Sequence, residues 1–469
     1  MQRQDRLPCA DDAVQTLLPV PVERASGAAR CHAACNIAGP EPMQPAVTGT
    51  DESRRAVAAA TVGNVLEWYD FSVYAFFAAT IGREFFPSED PTASLLATFA
   101  VFGVGFVVRP LGGIVIGWMG DRYGRRPALV LTIMLMAAGT VAIGLLPTYA
   151  AIGTAAPALL VAARLLQGFS AGGEWGGSTA FMVEWAPTGR RGLYGSFQQM
   201  SVAAGLLLGS GIGALVATLL PPDALEAWGW RVPFLLGGVL GLLGQYMRRH
   251  VGETPAYEAA PAQGSSQADL PQPRSGWPPA ARAFGFTIFW TVSYYVFLNY
   301  MPTFTRTQVG LSSQESLWAN TIGLVALVVL IPLTGLLSDR FGRKPLLLAS
   351  CGFFAVMTWP LMSLMLAHHA EFAMVVLIQL LFGVAIALFS GPGPAAIAEI
   401  FPTRGRSTWM STSYALAVAL FGGFAPFVAT WLIATSGSPM SPSLYVIAAA
   451  VVSFLTIAAM PETARRPLS

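Results

Sequence analysis

"GWMGDRYGRRPALVL" runs from Gly117 to Leu131, and "GLLSDRFGRKPLLL" runs from Gly335 to Leu348. In each stretch a Gly stands four residues before an Asp, an Arg follows the Asp, and a second Gly comes next but one. Two more basic residues and a Pro close it. The copies lie a little under half the chain apart, so the chain reads as two related halves. Two further echoes keep that separation: "EWAPTGRRG" from Glu184 with "EIFPTRGRS" from Glu399, and "GETP" from Gly252 with "PETA" from Pro461.

The charges of these loops stand out because the chain has so few. Of 469 residues, 54% are hydrophobic and 11% are charged, and the mean hydropathy is +0.56. Soluble proteins carry about 25% charged residues, so this chain lacks the polar surface a water-soluble globule needs. Long apolar runs between short charged loops point to an all-α membrane protein. Twelve runs fit crossings of roughly 20 residues each. They lie near 57–81, 94–117, 128–146, 156–182, 193–219 and 232–248, then 283–303, 316–337, 346–367, 372–396, 407–434 and 443–460. The expected organisation is a disordered tail over 1–55, a six-helix bundle over 56–248, a Pro- and Ser-rich linker over 249–281, a second bundle over 282–461, and a short tail over 462–469. Met43 offers an alternative start, and no signal peptide is visible.

Charge placement sets the orientation. One set of connections holds Arg122, Arg125, Arg126, Arg190, Arg191, Arg248, Arg249, Arg274, Arg282, Arg340, Arg343, Lys344, Arg404, Arg406, Arg465 and Arg466. The alternate set holds Arg83, Arg231 and Arg306. The positive-inside rule then places both termini and the repeated loops in the cytoplasm, with an inner-membrane location. Cys31 and Cys35 have no partner cluster, and His32, His250, His368 and His369 fall in tail or loops. Neither a metal site nor a disulfide framework is expected.

Charge inside a bilayer costs about 2.5–3.5 kcal/mol per residue on insertion scales, which makes it functional by default. Five charged residues fall well inside the spans: Glu67, Asp70, Arg109, Arg164 and Glu174. Three acids against two bases leave one acid free to exchange a proton, since a carboxyl removed from water and cations binds a proton more readily. Glu67 and Asp70 share a helix face, and Tyr74 continues that stripe. The alternative is an ion-pair network that only ties three helices together. Arg109 can hold a substrate carboxylate through its planar fork, or form a salt bridge to Glu67 or Asp70. Gln167 joins Tyr74 among the candidate substrate contacts. In the second half, Trp290, Tyr294, Tyr295, Asn299 and Tyr300 can line a pocket for a quaternary ammonium, or pack as an aromatic face. Gly168, Gly172 and Gly176, and Gly205, Gly209 and Gly213, recur every fourth residue and read as close helix packing. "GFSAG" from Gly168 matches a hydrolase nucleophile elbow, but that elbow follows a strand and here the Ser lies mid-helix. No enzyme is expected.

The repeated loops, with "RLLQG" from Arg164, resemble the loop and fourth-helix signatures of the major facilitator superfamily. "GNVLEWYDFSVY" from Gly63, "RPLGG" from Arg109, "QGFSAGGEWGG" from Gln167, "WGWRVPF" from Trp228 and "ETPAY" from Glu253 resemble its metabolite:proton symporter branch. That branch holds proline/betaine, α-ketoglutarate, citrate and shikimate transporters. "YVFLNYMPTF" from Tyr295 is closer to proline/betaine transporters, and "ALFGGFAPFVATWLI" from Ala419 to citrate symporters. The resemblance implies that Arg164 acts in coupling. It also implies a gating motif in which Asp121 or Asp339 meets a helix N-terminus of the other half. Gly117, Arg122, Gly124, Arg125 and Glu184 complete one copy, and Gly335, Arg340, Gly342, Arg343 and Glu399 the other.

The function expected is proton-coupled import of a small carboxylate-bearing metabolite, with a substrate sensor or an efflux antiporter as alternatives. The expected partners are the substrate and the bilayer. A monomer is expected, with protons as coupling ion, no cofactor and no nucleic acid.

Overall fold

The computed structural model describes residues 50–123, 125–172, 174–184, 186–187, 189–249, 273–401 and 406–464. Most of the expected N-terminal tail and of the linker lies outside them. The first helix, α1 (Thr50–Phe76), starts seven residues earlier than the apolar run suggests. Nothing from Thr50 to Arg55 breaks a helix, so hydrogen bonding extends beyond the lipid-compatible stretch. Likewise α10 (Pro273–Tyr294) begins inside the expected linker, with Pro at its start, where a missing N–H costs nothing.

Twelve crossings follow in order. The first is α1 with α2 (Ala78–Phe85), and the second is α3 (Pro91–Val107) with α4 (Arg109–Tyr123). The third is α5 (Arg125–Leu145), and the fourth is α6 (Ala155–Ser170) with α7 (Glu174–Glu184). The fifth and sixth are α8 (Arg191–Leu219) and α9 (Arg231–Arg249). The seventh is α10 and the turns that continue it to Val309. Then come α11 (Ser313–Phe341), α12 (Arg343–Ala367), and α13 (Phe372–Ser390) with α14 (Gly393–Ile400). The last two are α15 (Arg406–Ala417) with α16 (Ala425–Ser436), and α17 (Ser441–Ala458). Among the described residues, seven helical stretches are long and apolar enough to cross a bilayer unaided. Large apolar side chains such as Ile114, 71% exposed, and Leu219, 70% exposed, face outward, as lipid-facing residues do.

Several crossings break near their middles, and sequence explains the breaks. Pro110 has no N–H to give back to Phe106, so the second crossing interrupts at Val108 and restarts at Arg109. Pro302 does the same after a wide π-type turn over Tyr295–Tyr300. Gly172 falls in the gap between α6 and α7. Irregular backbone at membrane depth persists only where protein or a cavity surrounds it.

In the first half, α1 packs on α8, α9 and α5, and α3 packs on α6. The glycine stripes act as expected. A methyl group on Gly168 would overlap the backbone carbonyl of Gly105, and one on Gly209 would overlap the Ser72 hydroxyl. In the second half, α11 packs on α13, and α17 on α10 and α12. The halves meet through α8 against α11, α3 against α16, and α7 against α15.

Candidate functional site

The break at Val108 places Arg109 at the centre of the protein, 8% exposed. Its guanidinium carbon lies 4.4 Å from the Phe71 ring centre, 4.3 Å from that of Phe106 and 5.7 Å from that of Trp68. Its Nη2 is 3.8 Å from Glu67 Oε1, an ion pair without a hydrogen bond. Nε and Nη2 have no hydrogen-bond partner. Of the two salt bridges open to Arg109 from sequence, the structure forms the one to Glu67. The Tyr295 ring from the other half closes the group, 6.2 Å from Trp68 and 5.4 Å from Phe106. Its hydroxyl is buried and unpaired, as is that of Tyr294.

Arg164, on α6, is completely buried. Its Nη1 donates to Gln167 Oε1 at 2.8 Å, and Gln167 Nε2 donates to Thr140 Oγ1 at 2.7 Å. Gln167 is therefore a partner of Arg164 in this conformation, not a contact in the central space. The guanidinium carbon of Arg164 lies 4.4 Å over the Tyr74 ring, and Tyr74 donates its hydroxyl to the Thr98 carbonyl at 3.1 Å. Arg164 Nε and Nη2 have no partner, so it does not form the second ion pair that charge counting suggests. Asp70 is 5% exposed, and its Oδ1 has no hydrogen-bond partner. Glu174 begins α7, but its side chain lies outside the described residues.

The aromatic residues of the seventh crossing belong to a wider surface between the halves. Trp175 on α7 stacks on Tyr414 of α15, with ring centres 3.4 Å apart and planes 2° apart. Trp290 meets both edge-on at 6.0 Å. Asn299 is buried with Nδ2 unpaired. Trp68, Phe71, Phe106, Trp175 and Tyr414 were not among the residues singled out from sequence. In a chain this rich in aromatics, nothing but the packing separates them from lipid-facing rings.

The second copy of the repeated motif forms the contact its resemblance implies. Asp339, near the end of α11, accepts from the backbone N–H of Gly192 and Leu193 at 2.8 and 2.9 Å. These are two of the free donors in the first turn of α8, where the helix dipole is positive. Arg343 Nη1 donates to Asp339 at 2.7 Å and to Ser338 at 2.8 Å, while Nη2 reaches Glu399 at 3.5 Å. Gly335 allows the close approach, since a β-carbon there would come within 2.7 Å of the Gly192 carbonyl. Gly342 has φ of 102°, a conformation that disfavours any side chain. Arg340 is exposed and lies over Phe341, outside the cluster. In the first copy, Arg122 lies over Trp118 and Glu184 is exposed. The side chains of Asp121 and Arg125, and Gly117 and Gly124 with them, lie outside the described residues.

Glu462, from "PETA", extends the cluster in a way the sequence did not reveal. Its carboxylate accepts from the backbone N–H of Arg343 and Lys344, both at 2.9 Å, capping α12. Burial opposes its ionisation, but hydrogen bonds from the backbone of Ala464, Arg343, Lys344 and Thr463 outweigh that and hold the carboxyl below its usual range. Thr463 donates to Glu399 at 2.6 Å.

The opposite end is also shut. Glu226, between the fifth and sixth crossings, accepts from Arg83 at 2.6 Å and from Arg306 of the other half at 3.2 Å. Trp318 donates to Thr218 across the halves at 3.0 Å. Contacts between the halves are thus made at both ends. Ser170 of the "GFSAG" match is helical and donates to the Gln167 carbonyl, unlike a nucleophile on an elbow.

Known proteins match most of the chain. The sequence profile of the family described as sugar (and other) transporter matches residues 56–270 and 274–469. The glycine betaine/proline/ectoine/pipecolic acid transporter of Dickeya dadantii is 36% identical over 88% of this chain and 84% of its own length. The proline/betaine transporter of Escherichia coli K12 is 35% identical over 88% of this chain and 85% of its own. The citrate-proton symporter of Klebsiella pneumoniae is 35% identical over 91% of this chain and 96% of its own. Among solved structures, the xylose transporter from E. coli, in a partially occluded inward-open conformation, aligns with a TM-score of 0.74. It is 20% identical, over 89% of this chain and all of that one, and so shares the fold.

Proposed function

The chain belongs to the sugar (and other) transporter family of the major facilitator superfamily, and from that premise we propose that it imports a small carboxylate-bearing metabolite together with a proton. Both termini face the cytoplasm, and the protein sits in the inner membrane. The observation that carries the reading is Arg109, buried among rings of both halves with two nitrogens that lack a hydrogen-bond partner. A carboxylate is the ligand that a planar fork of donors accepts best. The rings of Trp68, Tyr295, Trp175, Trp290 and Tyr414 suit an ammonium or quaternary ammonium.

Charge balance narrows the class. Among the described residues, the centre holds two guanidinium groups, Arg109 and Arg164, and two carboxyls, Glu67 and Asp70. A site so nearly neutral fits a zwitterion such as betaine or proline, which adds no net charge to a low-dielectric space. A tricarboxylate is the second reading. The unpaired Nε and Nη2 of Arg164 favour it, as does the citrate-proton symporter among the relatives.

Glu67 is held by Arg109, which leaves Asp70 to carry the proton, with Arg164 within its field. Substrate and proton enter from outside once the Glu226 bridge opens. The centre then closes to the state seen here, and the Asp339 contact releases them inward. Proteoliposomes with an acidic exterior test this with radiolabelled glycine betaine, L-proline and citrate. Glycine betaine or L-proline should accumulate, a protonophore should collapse the gradient, and Arg109→Lys should raise KM by an order of magnitude or more. Equal uptake of all three probes with no ΔpH dependence would falsify the reading.

A further inference from the structure

Both helix 1 acids line a cavity that, among the described residues, only the first half touches. Its walls include Gly63, Glu67 and Asp70 from α1, Thr132 and Met136 from α5, Ser170 at the end of α6, and Gly241 from α9. On α1, Gly63, Glu67 and Asp70 fall at helical spacing on one stripe. Trp68 and Phe71, which hold Arg109, lie on the neighbouring face. The cavity therefore runs inside the first bundle and borders the substrate space at Glu67, whose carboxylate pairs with Arg109. It offers about 30 Å³ to water centres, room for about two waters at 10–15 Å³ each.

Position gives the cavity a direction. From Asp70 it extends toward Gly63, seven residues or about 10 Å along α1, and toward Thr132, near the start of α5. Both lie on the side of Asp70 that carries the repeated loops. On that same side the path between the halves is closed by Asp339 on Gly192 and Leu193. Asp70 Oδ1 is unpaired and lies against Gly237, one turn of α9 from Gly241. Among the described residues, the charged and titratable groups near Asp70 are Glu67 and Tyr69 on its own helix and Arg164 on α6. The residues packed on it from α5 and α9, Thr140 and Gly237, bring none.

We propose that the proton leaves Asp70 for the cytoplasm through water in this cavity, inside the first bundle, by a path separate from that of the substrate. The O–H bond of the Asp70 carboxyl breaks, a cavity water gains the proton, and the carboxylate remains facing Arg164. Proton release then does not require the Asp339 gate to open, and can precede substrate release. This rests on Asp70 as proton carrier.

Filling the cavity tests the path. Thr132→Leu in proteoliposomes should slow ΔpH-driven glycine betaine uptake about tenfold, a barrier increase of about 1.4 kcal/mol. Glycine betaine counterflow, which moves no net proton, should be unchanged. A parallel fall of uptake and counterflow in Thr132→Leu overturns the proposal, because the residue then only shapes the bundle. Normal uptake in Thr132→Leu overturns it as well. Asp70→Asn separates the two ideas. If it still accumulates substrate on ΔpH alone, the carrier assignment fails. If it loses accumulation while Thr132→Leu behaves as wild type, the path alone fails.

Discussion

Replacing Asp339 by Asn isolates the contact that shuts the cytoplasmic side. The Asp339–Arg343 pair lies within one half and survives when the halves separate. The bonds from Gly192 and Leu193 do not, since they come from the other half. These are the two contacts of Asp339 that opening must break. Each hydrogen bond to a charged group is worth about 1.5–3 kcal/mol net, and a charge at a helix N-terminus adds about 0.3–1 kcal/mol. Asn keeps one neutral acceptor, so the closed state should lose about 2–3 kcal/mol, a shift of roughly 30- to 150-fold toward opening. Ser196 reports the change. It is fully buried and packed under the gate against Gly335. In a cysteine-free background, Ser196→Cys should react with a hydrophilic maleimide in inside-out vesicles at least about tenfold faster when Asp339 is Asn. Asp339→Glu, which keeps the charge, should fall between. Equal labelling rates in folded wild-type and Asp339→Asn protein would refute the assignment of this contact as the gate.

Glu462→Gln removes the charge that caps α12 and should lower the melting temperature of purified protein at pH 7. Because the folded carboxyl sits below its usual value of about 4.3, its stabilisation is complete above about pH 5 and fades as pH falls through the folded value. The gap between wild type and variant should therefore narrow from pH 7 toward pH 3, and a constant gap would show that packing, not charge, matters there. The orientation is checked by single cysteines: Ser88→Cys, exposed, and Ser438→Cys, half-buried in the loop after α16, should label from outside, and Arg340→Cys, exposed at the other end, only from the cytoplasm.

Composition and repeat alone established a two-part helical membrane protein, because the cost of exposing backbone and charge to lipid leaves few alternatives. The same cost made Glu67, Asp70, Arg109 and Arg164 visible: a buried charge in an apolar run is a one-dimensional signal. Gly335 and Asp339 were legible for a related reason, since a motif repeated in both halves cannot be random loop charge. What lay beyond the sequence were relations between segments far apart in the chain. Arg109 facing either Glu67 or Asp70 is a choice that one helix face leaves open, and only the packing of α1 against the break at Val108 decided it for Glu67. Trp175 meeting Tyr414, Glu462 capping α12, and water-sized space behind Asp70 all depend on how close two backbones come. That distance is set by where glycines on one helix fall opposite carbonyls on another, a pairing that spacing along a single chain does not encode.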